Sequence, residues 1–233
     1  MNKYFDKIFV LNLDHRKDRL SMTEKRLKFA GIEFEKFSAV DGESIKGIHR
    51  VFASYNSRFV NANYLACAAS HLGIYNSAIE QGFERILILE DDCRVHRDAV
   101  SIFNSKISSI PDWDLLYLGY IPLSDDLSLW NYRVLNDRYI SEGVFKAKNL
   151  WGLYSYGISK HMMLKMLEIY DKGFPMEIDR FFVESIQQND RCFGISPQLF
   201  CAEDGMSDNS KNYETGMMEK SIDSRYANKH DYV

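Results

Sequence analysis

Apolar residues in this chain fall in short continuous runs separated by stretches of helical period, and the alternation of the two predicts the architecture. Residues 7–13 form an apolar run that reads as a buried strand. Leu20, Thr23, Leu27 and Ala30 then recur at helical spacing, and Gly31 supplies the stop. A second strand is expected over 32–40, with Asp41-Gly42 as its turn. The segment 64–81 reads as a helix with Leu65, Ala69, Leu72 and Ile79 on one face, ended by Gly82. Arg85 is followed by Ile86-Leu87-Ile88-Leu89, and such an unbroken apolar run marks a strand covered on both faces. Ala99, Val100, Phe103 and Ile107 predict another helix, closed by Pro111, and 113–119 predicts a fourth strand. Strands alternating with helices imply an α/β domain with a mostly parallel sheet between helical layers.

Beyond residue 120 the pattern loosens. The segments 43–63 and 122–131 read as loops, and 144–147 and 153–158 as short strands. Ser159 is placed to cap a helix reaching Tyr170, and a break at 171–175 precedes a helix over 177–188 and a strand over 191–195. The polar stretch from Glu203 reads as a loop and tail. The division expected is one domain over 1–210, with halves 1–120 and 121–210, and a polar tail over 211–233.

Composition narrows the class. The 233 residues are 45% hydrophobic and 27% charged, as in an ordinary globular protein, and the net charge of -4 argues against nucleic acid as a partner. Four widely spaced cysteines form no CxxC pair, so neither a zinc motif nor a disulfide framework is suggested, and a reducing compartment fits. The first residues lack the apolar core of a secretion signal and no apolar run reaches transmembrane length. The expectation is a cytoplasmic protein, with peripheral membrane contact left open.

The chemistry concentrates after the apolar strand, in Glu90-Asp91-Asp92. Ligands of open α/β sheets sit at the carboxyl ends of the strands, and alternation lets Glu90 and Asp92 point one way and Asp91 the other. Two carboxylates so placed make a hard-oxygen site for Mg²⁺ or Mn²⁺, while a polar turn capping the next helix is the competing reading. Asp14 to Arg19 adds cationic groups at a helix N-terminus, where an anion is favoured, against the alternative of a solvated charge cluster. P-loop, dinucleotide, zincin and nucleophile-elbow motifs are absent.

Four blocks, Val10 to Arg19, Ala39-Val40-Asp41-Gly42, Cys67-Ala68-Ala69-Ser70-His71-Leu72 and Ile88 to Asp92, stand in the order in which glycosyltransferase family 25 has them, and the chain resembles that family. The resemblance implies a GT-A fold, a UDP-sugar donor with galactose first and glucose next, Mn²⁺ or Mg²⁺, and inverting transfer to a hydroxyl of a glycan, lipooligosaccharide or hydroxylated protein. On it, Asn12, Arg16, Arg19, Asp41, Ser70, His71, Glu90 and Asp91 are donor-binding candidates and Glu90 and Asp92 are metal ligands, while Asp208, with Asp204, sits in a late acidic loop placed to fold back and complete the metal shell, against the alternative of solvated tail residues. Trp151, Tyr154 and Tyr156 offer an aromatic wall for a sugar, against the alternative of core aromatics. Inversion needs a base opposite the leaving group, and Asp179, shortly after Pro175, is the choice, with Glu177 and Asp208 as substitutes and a first-turn acid stabilising the helix dipole as the competing reading. A non-catalytic sugar or nucleotide-sugar binding module of the same fold, and more weakly a Mg²⁺ phosphohydrolase, are the alternatives.

Overall fold

A computed structural model describes residues 1–45, 62–124, 130–173, 176–189, 191–208 and 212–233. The loops expected over 43–63 and 122–131, and Pro175 ahead of the 177–188 helix, lie partly or wholly outside these residues.

The first strand, β1 (Lys7–Asn12), leads into α1 (Lys17–Phe29) and then β2 (Glu35–Ser38). Helix α2 (Ala62–Glu80) precedes β3 (Arg85–Glu90), β4 (Cys93–Val95), α3 (Ala99–Lys106) and β5 (Leu115–Tyr117). Short strands β6 (Ile121–Pro122), β7 (Tyr139–Ser141), β8 (Val144–Lys146) and β9 (Leu150–Trp151) lead to β10 (Ser155–Ser159). Helices α4 (Lys160–Asp171) and α5 (Ile178–Phe181), the latter continued by a π-helical stretch Phe182–Ile186, come before β11 (Cys192–Ile195) and β12 (Phe200–Ala202). Ser159 caps α4 as expected, its hydroxyl accepting from the Met162 amide at 3.2 Å and donating to Asp114.

Eight strands form one sheet in the order β2-β1-β3-β10-β5-β11-β8-β7. β1 lies parallel to β2 and β3, and β5 parallel to β11, while β10 and β8 run the other way. The expected mostly parallel sheet flanked by helices is therefore present, with one feature the pattern did not show. β3 and β5 are not neighbours, because β10 from the second half inserts between them, pairing Tyr156 with Ile88 on one side and Tyr117 on the other.

The sheet is covered on both faces. Ile86 and Ile88 join Phe9, Tyr117, Tyr156 and the inner sides of α2 and α4, whereas Leu87 and Leu89 join Val10, Leu116, Leu27 of α1 and Phe103 of α3. All four of these β3 side chains are fully buried, each contributing about 1.5–3 kcal/mol by leaving water. Such a strand can only be central, and its polar end is thereby delivered to the rim.

Three expectations are corrected. The strand over 32–40 shortens to β2, which among the described residues is an edge strand paired with β1 alone. The fully buried side of α2 carries Ala66, Ser70, His71, Ile74, Tyr75 and Ala78, whereas of the expected face Leu65 and Ala69 are only partly buried and Leu72 and Ile79 pack at the margin of the core. Two polar residues on that side shift the apolar stripe, and they are tolerated because Ser70 bonds backbone and His71 bonds Tyr156. The stretch read as a polar tail is packed: Tyr232 is buried and donates to the Gln198 carbonyl at 2.7 Å, and Val233 pairs with Val95 through both backbone groups.

Candidate active site

The carboxyl ends of β1 and β3, the start of α1 and the returning segment after β12 meet at one rim. Asn12 ends β1 with its amide donating to Asp91 Oδ2 at 2.6 Å and to the Arg16 carbonyl at 3.0 Å, so it ties the two strand ends together. Thr23 of α1 donates to the Asp91 carbonyl at 2.9 Å. Arg19 Nη1 contacts Asp91 at 3.0 Å, Asp92 at 3.4 Å and Asp208 at 3.5 Å, and its Nη2 donates to the Met206 carbonyl. Arg16 reaches Asp208 at 2.5 Å and Asp18 at 3.1 Å. The two arginines expected at a diphosphate thus sit among carboxylates.

Glu90 continues the row of Ile86 and Ile88 and so faces α2, where its carboxylate lies 3.5 Å from His71 Nε2. His71 is completely buried, with Nδ1 at 2.7 Å from the Tyr156 hydroxyl, which in turn lies 2.6 Å from that of Tyr75. Ser70 accepts from the Val40 amide at 2.8 Å and donates to Ala66, fixing the segment that carries Asp41. Asp41 accepts from the Glu43 amide at 2.9 Å and lies 3.6 Å from His15.

Glu90 and Asp92 border two adjoining cavities. The smaller, about 110 Å³, is also lined by Asn12, Asp41, Ser70, His71 and Asp208. The larger, about 440 Å³, is lined by Trp151, Tyr154, Glu177, Asp179 and Met206. The candidates therefore divide between two compartments that share an acidic wall. Of the aromatic wall, Trp151 and Tyr154 border the larger cavity, while Tyr156 is core, because its side of β10 faces the helices.

The charges are unevenly matched. Burial and the neighbouring charge of Glu90 push the Asp92 carboxyl up to about 7, although Arg19 pulls it down. Asp91 is raised by burial, offset by Arg19 and Asn12. Asp179, in the first turn of α5, is pushed up to about 6, first by burial and then by Glu90. Among the described residues one set of three His, Cys or carboxylate ligand atoms lies mutually within 4.8 Å, that of Cys67, His71 and Glu90. Glu90, Asp92 and Asp208 do not form such a set, since Arg16 and Arg19 draw Asp208 aside.

Some residues of the rim escape sequence reasoning. Arg26, buried in α1, donates from Nη2 to both carboxylate oxygens of Glu203 at 2.7 and 2.8 Å and anchors the returning segment. Met206 lines the larger cavity from that segment. The acidic loop of Asp204 and Asp208 is the signal for a return across the rim, and a lone arginine among the apolar positions of α1 is the signal for its anchor. Asp204, adjacent to it, bonds the Gly216 and Met218 amides and is a local capping group.

A mostly parallel sheet whose strand ends bring carboxylates to paired cavities defines an α/β protein of the sheet-rim site class. The chain belongs to glycosyltransferase family 25: the model of that family, described as LPS biosynthesis protein, matches residues 5–182. It is 29% identical over 129 residues to procollagen galactosyltransferase 2 of Mus musculus, covering 49% of this chain and 21% of the relative. It is 30% identical over 135 residues to a glycosyltransferase 25 family member of Drosophila melanogaster, covering 52% and 22%. The matched stretch thus spans about a fifth of these relatives' length. A solved glycosyltransferase involved in glycosylation of the major capsid of PBCV-1 overlays with a TM-score of 0.45 at 13% identity, covering 88% of this chain and 96% of that one. Among the described residues no helix is long and apolar enough to cross a membrane.

Proposed function

We propose that the chain moves a hexose, galactose first and glucose second, from a UDP-sugar to a hydroxyl of a glycan, lipooligosaccharide or hydroxylated protein, with inversion at the sugar carbon. The observation that carries this reading is the wall formed by Glu90 and Asp92 between two cavities, one for a donor and one for an acceptor. Membership of the family and the galactosyltransferase names of its relatives support the sugar.

The rim suits a hard divalent cation such as Mn²⁺ or Mg²⁺. Three carboxylates, Asp91, Asp92 and Asp208, meet two guanidinium groups with Glu90 beside them on the same rim, and burial followed by the charge of Glu90 raises the proton affinity of Asp92. Glu90 and Asp92 would hold the ion through oxygen, joined by Asp208 once its contacts to Arg16 and Arg19 are exchanged for the cation. When bound, it neutralises charge on the departing diphosphate.

The chain's own groups do the rest. Arg16 and Arg19, at the start of α1, offer guanidinium forks to phosphate oxygens. Asp41, steadied by the Ser70 contact to Val40, accepts from the uracil imide or the ribose. Trp151 and Tyr154 set a flat apolar surface beside the sugar. The acceptor oxygen bonds the anomeric carbon as the bond to UDP breaks; the electron pair leaves on the phosphate oxygen, and the acceptor proton passes to the Asp179 carboxylate. At neutral pH that carboxylate is ionised, and with its affinity raised toward 6 it is a better base than a free aspartate.

The test is UDP release from UDP-galactose and UDP-glucose with a hydroxyl acceptor, in Mn²⁺, in Mg²⁺ and in excess chelator. Release that depends on the metal and favours UDP-galactose is the expected result. Release that persists in chelator removes the metal from this reading, and binding of UDP-sugar without any release leaves the binding module.

A further inference from the structure

We propose that Cys67, His71 and Glu90 form a second cation site, for a borderline divalent ion of the zinc type, distinct from the hard-oxygen rim. Cys67 and His71 are four residues apart on α2 and so share a side of the helix, and Glu90 meets them from the end of β3. One ligand atom from each lies within 4.8 Å of the other two.

His71 supplies the independent observation. The residue is 0% exposed, among the described residues its Nε2 has no hydrogen-bond partner, and the Glu90 carboxylate at 3.5 Å is too far for a good one. An isolated ring nitrogen in a protein interior is costly, and the structure places this one at a cavity. The other ring nitrogen is well served: with the proton on Nδ1, the imidazole donates to Tyr156 at 2.7 Å, and Tyr156 donates onward to Tyr75 at 2.6 Å. In that tautomer, the one a bound cation selects, the Nε2 lone pair faces Glu90 and Cys67, the arrangement in which a second partner orients a metal-binding imidazole.

The donor set selects the ion. Thiolate, imidazole and carboxylate suit Zn²⁺, whereas Mg²⁺ and Mn²⁺ prefer oxygen alone. Three protein ligands leave a fourth position, and all three residues line the smaller cavity, so that position faces it. Binding releases the Cys67 thiol proton to solvent and requires no oxidant. Glu90 belongs to both donor sets, so filling this site withdraws a ligand from the rim. The inference does not rest on sugar transfer, because its readout is spectroscopic.

The experiment titrates the full chain with Co²⁺ and records thiolate-to-cobalt charge-transfer absorption, followed by displacement with Zn²⁺. The expected result is one Co²⁺ per chain with a charge-transfer band that Zn²⁺ removes. Cys67→Ser abolishes the band, His71→Gln weakens binding at least about tenfold, and Asp92→Asn keeps the band. Cys67→Ala serves where the serine variant melts early. A wild-type chain without the band, a band that survives loss of Cys67, or a band lost in Asp92→Asn but kept in His71→Gln overturns the proposal.

Discussion

Arg19 Nη1 lies 3.0 Å from the Asp91 carboxylate, and the same nitrogen is within 3.5 Å of Asp92 and Asp208. One guanidinium therefore joins the start of α1, the end of β3 and the segment returning after β12. Asp91 is 8% exposed, so its charge is compensated chiefly by Arg19 and the Asn12 amide.

Arg19→Met is expected to destabilise the fold by about 2–3 kcal/mol, toward the low end for a stranded buried charge because the rim is partly wet. Urea unfolding of Arg19→Met, Asp91→Asn and the double variant measures it. The pair should couple by more than about 1 kcal/mol, whereas additive effects would show that the contact carries no energy of its own.

Asp92→Asn removes a charge from the proposed metal rim while leaving the shape of the side chain. UDP release should fall about 100-fold, the scale for losing one group that stabilises developing charge. The melting temperature should stay level or rise at neutral pH, since the carboxyl, pushed up to about 7, is there partly ionised against burial and Glu90. Wild-type turnover in this variant would falsify the assignment.

Asp179 sets the pH dependence. As a base it must be ionised, so the rate should rise from pH 5, bend at about 6 and level above, and Asp179→Asn should lose that limb along with most transfer. Stability runs the opposite way. The folded chain holds this proton at higher pH than the unfolded chain, so the contribution present below about 4 is lost as pH rises through about 6. Asp179→Asn should therefore melt higher than wild type at pH 7.5, with the gap closing toward pH 4. A lower melting temperature at pH 7.5 would instead mark Asp179 as a helix-dipole residue.

Tyr156→Phe deletes a hydroxyl that His71 and Tyr75 both contact in the core. Leaving their polar atoms unpartnered should cost about 1–3 kcal/mol in chemical unfolding with little change in packing. A neutral substitution would show that the two rings find other partners.

Local pattern alone determined much of this protein. The apolar run at 86–89, the helix ended by Gly31 and the Ser159 cap each depend on neighbours a few residues away, and those interactions survive in any context. The acidic end of β3 was legible for the same reason: a strand buried on both faces must discharge its polar residues at the rim. Tertiary structure decided which strands are neighbours and what faces the carboxylates. β10 enters beside β3 through pairings across more than sixty positions, and neither apolar run carries a mark of its partner. Arg16 and Asp208, 192 residues apart, meet because the segment after β12 recrosses the rim, anchored by Arg26 on Glu203. His71 is the sharpest case, because a histidine on an apolar helix could be read from its family block as a site residue. Only the packing of α2 on β10 and β3 shows that one nitrogen is held by Tyr156 while the other is left facing Glu90 and Cys67. Charge and hydrogen bonding at the site act between segments distant in the chain, and no period along the sequence encodes them.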